Sequence, residues 1–396
     1  MPPLDGLCVV DMTEALAGPY CTMLLGDLGA KVIKIERPGS GDMSRGWAPP
    51  FVGQESAYFL GVNRNKRSLT LNLKHAEAQA ILHKLAQQCD VFATNQPSLD
   101  SLRKLKADPD TLRALNPRLV YCAISGYGMS GPYAGQSGFD LVAQAQSGLM
   151  AMTGEPGQGP MRYPTPLSDA TAGVYGVIGI LSALLARERT GQGQFLDVAL
   201  LDGQVAWLTN LASAYFATGQ RPQKLGNAHP NIVPYQPFKA RDKYLIVAVG
   251  SERLWERFCQ ALDISITIGK DPRFTANAGR LRHRAELVPL LEQIFCQRDA
   301  EYWLERLRAA DIPCGPINEV DEILNDPQVL ARGMIVELEH STAGLVRSLG
   351  NPVHLDETPV HYRLAPPTLG QHTDEVLGQL GYSPQAIERL REEGVI

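Results

Sequence analysis

Leu7-Cys-Val-Val-Asp11, Ala17-Gly-Pro-Tyr-Cys-Thr-Met-Leu-Leu-Gly-Asp-Leu-Gly29 and Lys31-Val-Ile-Lys-Ile-Glu36 follow one another closely near the start of the chain. The first and last are short apolar runs of the kind that form buried strands. The middle one carries proline in its first turn and glycine at its end, the usual punctuation of a helix. Strand, helix and strand joined by short links make a right-handed βαβ unit, which starts a parallel sheet. The alternation then continues. Residues 68–73 read as a strand, 76–88 as a helix, 90–93 as a strand, 109–115 as a helix and 118–125 as a strand. The N-terminal half is predicted to be α/β.

Further along, 196–201 reads as a strand running into a helix over 202–218. Residues 219–230 are polar and rich in breakers, the best linker in the chain. A strand at 244–249 and helices near 251–262, 283–297 and 299–310 make a smaller α+β block. After Asp326-Pro327 the pattern turns strand-like, and two helices at 371–380 and 384–393 close the chain.

The chain has 396 residues, long enough that two domains are the default. Its composition, 44% hydrophobic and 20% charged, is that of an ordinary soluble globular protein. A net charge of −5 argues against a nucleic-acid binder, so an anionic partner has to be met by a local basic cluster. Seven cysteines, an odd number without a C-x-x-C pair, read as reduced thiols in a cytoplasmic protein. The eight histidines show no metal-ligand spacing, so no metal site is expected. The start of the chain lacks the basic and apolar regions of a signal peptide, and the apolar run 172–186 is short of the ~20 residues of a membrane span.

Two stretches carry candidate chemistry. In Tyr163-Pro-Thr-Pro-Leu-Ser-Asp169 the prolines keep the chain extended, and Ser168 and Asp169 sit where an N-cap belongs before an apolar helix that ends near Gly191. Asp169 then reads as a plain cap or as a nucleophilic carboxylate that the helix end keeps ionised, and the two readings are compatible. Basic residues gather at Lys34 and Arg37, and again at Arg64-Asn-Lys-Arg67 with Lys74. They read as a solvated rim or, near the strand ends of a parallel sheet, as partners of a phosphate-bearing ligand. Gly126-Tyr-Gly128-Met-Ser-Gly131 matches G-x-G-x-x-G but not a dinucleotide fingerprint, because Pro132 and Gly135 block the helix that should open there. Those glycines read instead as a close backbone approach.

Several of these stretches, with Asn63-Arg-Asn-Lys-Arg-Ser68, Asp169-Ala-Thr-Ala-Gly173, Thr190-Gly-Gln-Gly-Gln194 and Leu369-Gly-Gln-His-Thr-Asp-Glu375, together resemble the class III CoA-transferases, the formyl-CoA transferase or CaiB/BaiF family. The likeness runs in one order from residue 4 to the C-terminus. It implies a Rossmann-like large domain with a parallel sheet over 1–220 with 330–396, a small α+β domain over 221–329, and an interlocked homodimer of ring-like subunits. It implies no permanently bound cofactor, with coenzyme A arriving as acyl-CoA and a small carboxylic acid as the second substrate.

Carried over residue by residue, Asp169 matches the family's nucleophile, which works through an acyl-aspartyl anhydride and an aspartyl-CoA thioester. Asp140 matches an acidic residue beside it. Arg37, Leu71, Lys74, Asn95 and Arg103 match positions that line CoA, and Ala15 and Ala17 match backbone contacts near the thioester. Phe139 matches an aromatic neighbour. Leu16 replaces a glutamine of the formyl-CoA transferases, and the Gly226–Tyr235 loop replaces their glycine-rich lid, with His229 placed to contact the acyl tail. Both departures look like relatives that handle succinate or glutarate. Two rival readings are an α-methylacyl-CoA racemase and a CoA-binding protein without turnover. A racemase needs an acid–base pair, and Phe139 in Gly138-Phe139-Asp140 cannot carry a proton.

Overall fold

The computed structural model describes residues 1–396. The chain divides into two compact units. The larger holds Met1–Met150, Arg162–Ala217 and Gln328–Ile396, and the smaller holds Ala151–Met161 with Thr218–Pro327. The stretch 151–161, left within the larger domain by the sequence reading, belongs to the smaller. There Lys224 Nζ donates to the Gln158 carbonyl at 3.0 Å.

In the larger unit β1 (Cys8–Met12), β2 (Lys31–Glu36), β3 (Lys66–Thr70), β4 (Val91–Thr94), β5 (Val120–Ser125) and β6 (Phe195–Ala199) form one sheet. Its order is β3-β2-β1-β4-β5-β6, and every pairing is parallel. That is the order of a doubly wound dinucleotide-binding sheet, in which the chain reverses direction of growth between β1 and β4. Ligands of such folds sit outside the carboxyl ends of the strands at this switch point. Helix α1 (Ala17–Asp27) links β1 to β2, and α2 (Ala76–Gln88) links β3 to β4. Helix α3 (Asp140–Gln146) and the long α4 (Leu167–Thr190) lie between β5 and β6.

Helix α4 is as long as a membrane span and mostly apolar. It buries Ala172, Gly176, Ile180, Ala183 and Arg187. A Cβ at Gly173 would come within 2.9 Å of the Ala17 carbonyl, and one at Gly176 within 2.9 Å of Cys21 Sγ. The small residues that follow Asp169 therefore let α4 nest on α1, which fixes where the first turn of α4 sits against the end of β1. Gly191, in the left-handed region at φ 71°, stops the helix as the sequence predicts. The predicted helix over 202–218 is broken into α5 (Leu200–Ala206) and α6 (Thr209–Thr218).

The chain's end returns to the first sheet. The Thr70 N–H donates to Thr373 Oγ1 at 3.2 Å and the Asn72 N–H to the Val395 carbonyl at 2.8 Å. An antiparallel hairpin, Ile335–His340 with Gly344–Leu349, is tied to the same unit by Arg64, whose Nη1 donates to the Leu349 carbonyl at 2.7 Å.

The smaller unit has a three-stranded antiparallel sheet of β7 (Tyr235–Lys239), β8 (Tyr244–Ala248) and β9 (Cys314–Pro316), with β8 in the middle. Helices α7 (Glu252–Ala261), α8 (Arg284–Phe295) and α9 (Ala300–Ala309) share its core of Phe238, Leu245, Trp255, Phe258, Phe295 and Trp303.

Candidate active site

Parallel strands are covered on both faces, so charges on them are costly unless paired. This chain carries several. Asp11 lies opposite Lys34 in the β1–β2 register and pairs with Lys66 at 2.9 Å. Lys34 pairs with Asp42 at 2.8 Å, and Glu36 receives two 2.8 Å hydrogen bonds from Arg45. Arg64 grips Asp27 at 2.6 and 2.9 Å. Lys34, Arg64 and Lys66 are fully buried. Both sequence readings of the basic cluster are corrected here: these three cations are neither a solvated rim nor phosphate ligands, but internal partners of buried carboxylates. Burial pushes Asp11 and Asp42 upward, yet the lysines beside them outweigh it and hold both below the usual carboxylate range. Of the cluster, Arg37 and Lys74 are exposed and Arg67 is about a quarter exposed.

This buried network holds up the loop after β1. Lys34 Nζ donates to the Thr13 carbonyl at 2.7 Å, and Asp42 Oδ1 accepts the Ala15 N–H at 3.0 Å. Asn95, just beyond β4, accepts the Glu14 N–H at 3.0 Å and donates to the Glu14 carbonyl at 2.7 Å. Ala15 is thereby held at φ 70°, a conformation costly for a residue with a Cβ. The loop leads into Leu16 and the start of α1.

Above it opens a cavity of about 580 Å³. Glu14, Ala15, Leu16 and Ala17 line one side, Asn95, Gln96 and Pro97 another, and Gly126 and Gly138 a third. The cavity thus sits at the switch point. A Cβ on Gly126 would meet Gly138 Cα at 2.5 Å, so the glycine after β5 serves a close approach between two loops of the cavity wall. Asp169, Asp140, Phe139, Trp47, Tyr58 and Arg162 complete the wall.

Asp169 does not cap its helix. The N-cap position is Pro166, and Asp169 falls in the first turn of α4 without a side-chain cap hydrogen bond. The capping is supplied by Asp140, whose Oδ1 accepts the Ser168 N–H at 2.8 Å while its Oδ2 accepts from Gln144 Nε2 at 2.7 Å. Asp169 is left without a hydrogen-bond donor or a cation. Burial, with the charge of Asp140 added, raises its carboxyl to about 7. The expectation that the helix end keeps Asp169 ionised is therefore corrected: loss of water outweighs the helix dipole, which is worth only ~0.3–1 kcal/mol. Tyr58 feels the same charges. Burial first and then Asp169 push its phenol up to about 12, and its ring packs edge-on against Trp47 at 4.9 Å between centroids.

Of the residues singled out in the sequence, Ala15, Leu16, Ala17, Asn95, Phe139, Asp140 and Asp169 meet at this cavity. Arg37 is not in its lining but pairs with Glu14, which is, at 3.0 Å. The Leu71 side chain lies in the core beneath the sheet. Lys74 is exposed, and Arg103, also exposed, pairs with Asp100 at 3.1 Å. His229 belongs to the smaller unit, where its ring packs against Tyr235. Sequence reading missed Trp47, Tyr58 and Arg162. The first two lie in the long crossover from β2 to β3, whose elements (Met43–Gly46, Phe51–Val52, Glu55–Ser56 and Ala57–Gly61, with Tyr58 in the last) are too short to show a period, and Arg162 precedes Pro164 and Pro166 without a motif of its own. No three His, Cys, Asp or Glu side chains converge as a metal site requires.

The family model for CoA-transferase family III matches residues 4–373. A Mus musculus protein named succinyl-CoA:glutarate CoA-transferase is 40% identical over all of this chain and 91% of its own length. An Acetobacter aceti acetyl-CoA:oxalate CoA-transferase is 40% identical over 89% of each chain. The crystal structure of a CaiB/BaiF family protein from Brucella suis superposes with a TM-score of 0.87 at 39% identity, covering 96% of this chain and 99% of that one.

Proposed function

The chain belongs to CoA-transferase family III and moves CoA from an acyl-CoA to a small carboxylic acid; we propose that the donor is succinyl-CoA or a similar short acyl-CoA, that the acceptor is a small dicarboxylic acid, and that Asp169 is the nucleophile. The observation that carries this reading is the state of Asp169: a carboxyl in the cavity wall with neither donor nor cation attached, beside buried carboxylates that all have one. A carboxylate bound to nothing is free to attack.

The ionised Asp169 adds to the thioester carbonyl, and collapse of that adduct breaks the C–S bond to give a mixed anhydride and CoA thiolate. The thiolate then attacks the aspartyl carbonyl, leaving aspartyl-CoA thioester and releasing the donor acid. The acceptor carboxylate repeats the first step on this thioester, and CoA thiolate takes the acceptor's acyl group, restoring Asp169. Ala15 and Ala17 are assigned to the backbone near the thioester, Arg37, Lys74, Asn95 and Arg103 with Leu71 to CoA, and Leu16, Phe139 and His229 to the acyl chain. A matrix of acyl-CoA donors against carboxylic acids, read by mass spectrometry of the CoA products, tests the substrates. Formate far outpacing succinate and glutarate as acceptor would overturn them.

The proposal extends to an interlocked homodimer of the cytoplasm. Exposed apolar side chains recur along α4 to α6 and in the link at Trp207, among them Val174, Ile178, Leu185 and Phe216, the last 83% exposed. Exposed apolar surface of this kind marks an interaction face. Light scattering that finds a folded 43.2 kDa monomer in dilute solution would refute the dimer. None of the seven cysteines is paired, which suits a reducing compartment. Recovery with secreted or membrane markers on cell fractionation would refute that placement.

A further inference from the structure

The cavity wall holds three carboxylates and one cation. Glu14 is paired with Arg37, Asp140 is committed to Ser168 and Gln144, and Asp169 is the unattached carboxyl. Arg162 is the cavity's only basic residue, and its guanidinium makes no ion pair and no side-chain hydrogen bond. The side chain is exposed, but the backbone beside it is tied down. The next residue, Tyr163, donates its N–H to Gln144 Oε1 at 3.0 Å, and Gln144 Nε2 holds Asp140, which in turn holds the first turn of α4. One clamp therefore ties the backbone next to Arg162 to the first turn that carries Asp169. Leu16, Phe139 and Pro164, which also line the cavity, offer an apolar wall for a short methylene chain.

We propose that Arg162 receives the far carboxylate of a dicarboxylic acid or acyl group while its near carboxyl reacts at Asp169, so that this one side chain selects diacids over monoacids. The inference rests on the CoA-transfer reading of the cavity. A diacid entering a site that already holds three carboxylates meets repulsion at both ends, and a cation at the far end removes one of them. The guanidinium fork matches a carboxylate with two parallel hydrogen bonds, which a monoacid's terminal methyl cannot accept.

The test uses the full-length protein and the variants Arg162→Gln and Arg162→Lys. Acceptors are paired by chain length, succinate against butyrate and glutarate against valerate, with one acyl-CoA donor held fixed. Arg162→Gln should lower the succinate-to-butyrate ratio of kcat/KM about 10-fold, the loss of one charge-assisted contact in a partly wet site. Arg162→Lys should recover part of that ratio, because it keeps the charge and loses the fork. An unchanged ratio overturns the proposal. So does a raised KM for acetyl-CoA, a donor with no far carboxylate, since that would place Arg162 on the phosphates of CoA. If the wild type makes no new CoA ester from any acid, the transfer reading itself fails. Calorimetric binding of succinate and butyrate then still decides Arg162, since a preference for succinate that Arg162→Gln removes supports it and the lack of one overturns it.

Discussion

The floor and the wall of the cavity treat their carboxylates in opposite ways. In the floor, Asp11, Glu36 and Asp42 are buried, each beside a cation at 2.8–2.9 Å, and all three are held below the usual carboxylate range against the pull of burial. In the wall, Asp169 is half-buried, has Asp140 as its charged neighbour and is raised to about 7. The difference lies in partners rather than depth. A matched carboxylate is frame: it fixes the Thr13–Ala15 backbone and cannot easily give up its charge. An unmatched one is free to change protonation and to bond to something else, as the proposed reagent must.

The largest expected effect comes from removing the reagent. Asp169→Asn should cut CoA transfer by at least ~10³-fold, because an amide is a very poor nucleophile. The same change should not destabilise the protein. Folded Asp169 titrates near 7 and unfolded aspartate near 3.8, so folding favours the protonated form. That benefit is complete below pH ~3.8 and is lost as pH rises through 7. Asp169→Asn should therefore gain stability over wild type from pH 4 upward, levelling off above 7 at on the order of 4 kcal/mol. Urea unfolding at pH 4 and pH 8 measures this gain. In wild type, the adduct formed from acyl-CoA without acceptor should appear faster as pH rises, levelling off above about 7. A rate flat from pH 5 to 8 would mean that Asp169 is already ionised and that floor and wall do not differ.

Breaking the frame should act on stability first. Lys34→Met leaves Asp42 and Asp11 short of a buried cation, and such a loss costs ~3–5 kcal/mol. Asp42 is depressed in the fold, so its contribution is present above pH ~3.8 and is lost in acid. The gap between wild type and Lys34→Met should accordingly be widest near neutrality and narrow below pH 4. A deficit under 1 kcal/mol at pH 7 would make the floor incidental.

How legible these regions were in the sequence follows from how local their causes are. Helices 76–88 and 109–115 fall where the pattern places them, because their apolar faces and flanking breakers lie within a few residues. The floor was misread because its cause is distant. Lys66 finds Asp11 55 residues away, and Arg64 finds Asp27 37 residues away. A charge on a strand reads as exposed until its partner is known. The break between α5 and α6, at Trp207 and Leu208, has no proline or glycine to announce it. In the wall, the family resemblance pointed to Asp169, Asp140 and the Ala15–Ala17 loop. The raised carboxyl of Asp169 could not be foreseen, because it depends on Asp140 taking over the capping from 28 residues upstream.

The smallest effect sharpens the comparison from outside. Arg103 is exposed, and its side chain meets only Asp100, one turn away at 3.1 Å. Charges in water of this kind contribute ~0–1 kcal/mol. Arg103→Ala should therefore leave unfolding within ~0.5 kcal/mol of wild type. If Arg103 meets a CoA phosphate, the donor's KM should rise ~2–5-fold with kcat unchanged, since a contact made equally in ground and transition states shifts binding alone. The rise should shrink as salt is added, because an exposed phosphate contact is screened. Should kcat fall instead, Arg103 would be acting on the reacting atoms, and the division into frame, reagent and solvated binding charges would not hold for this side chain.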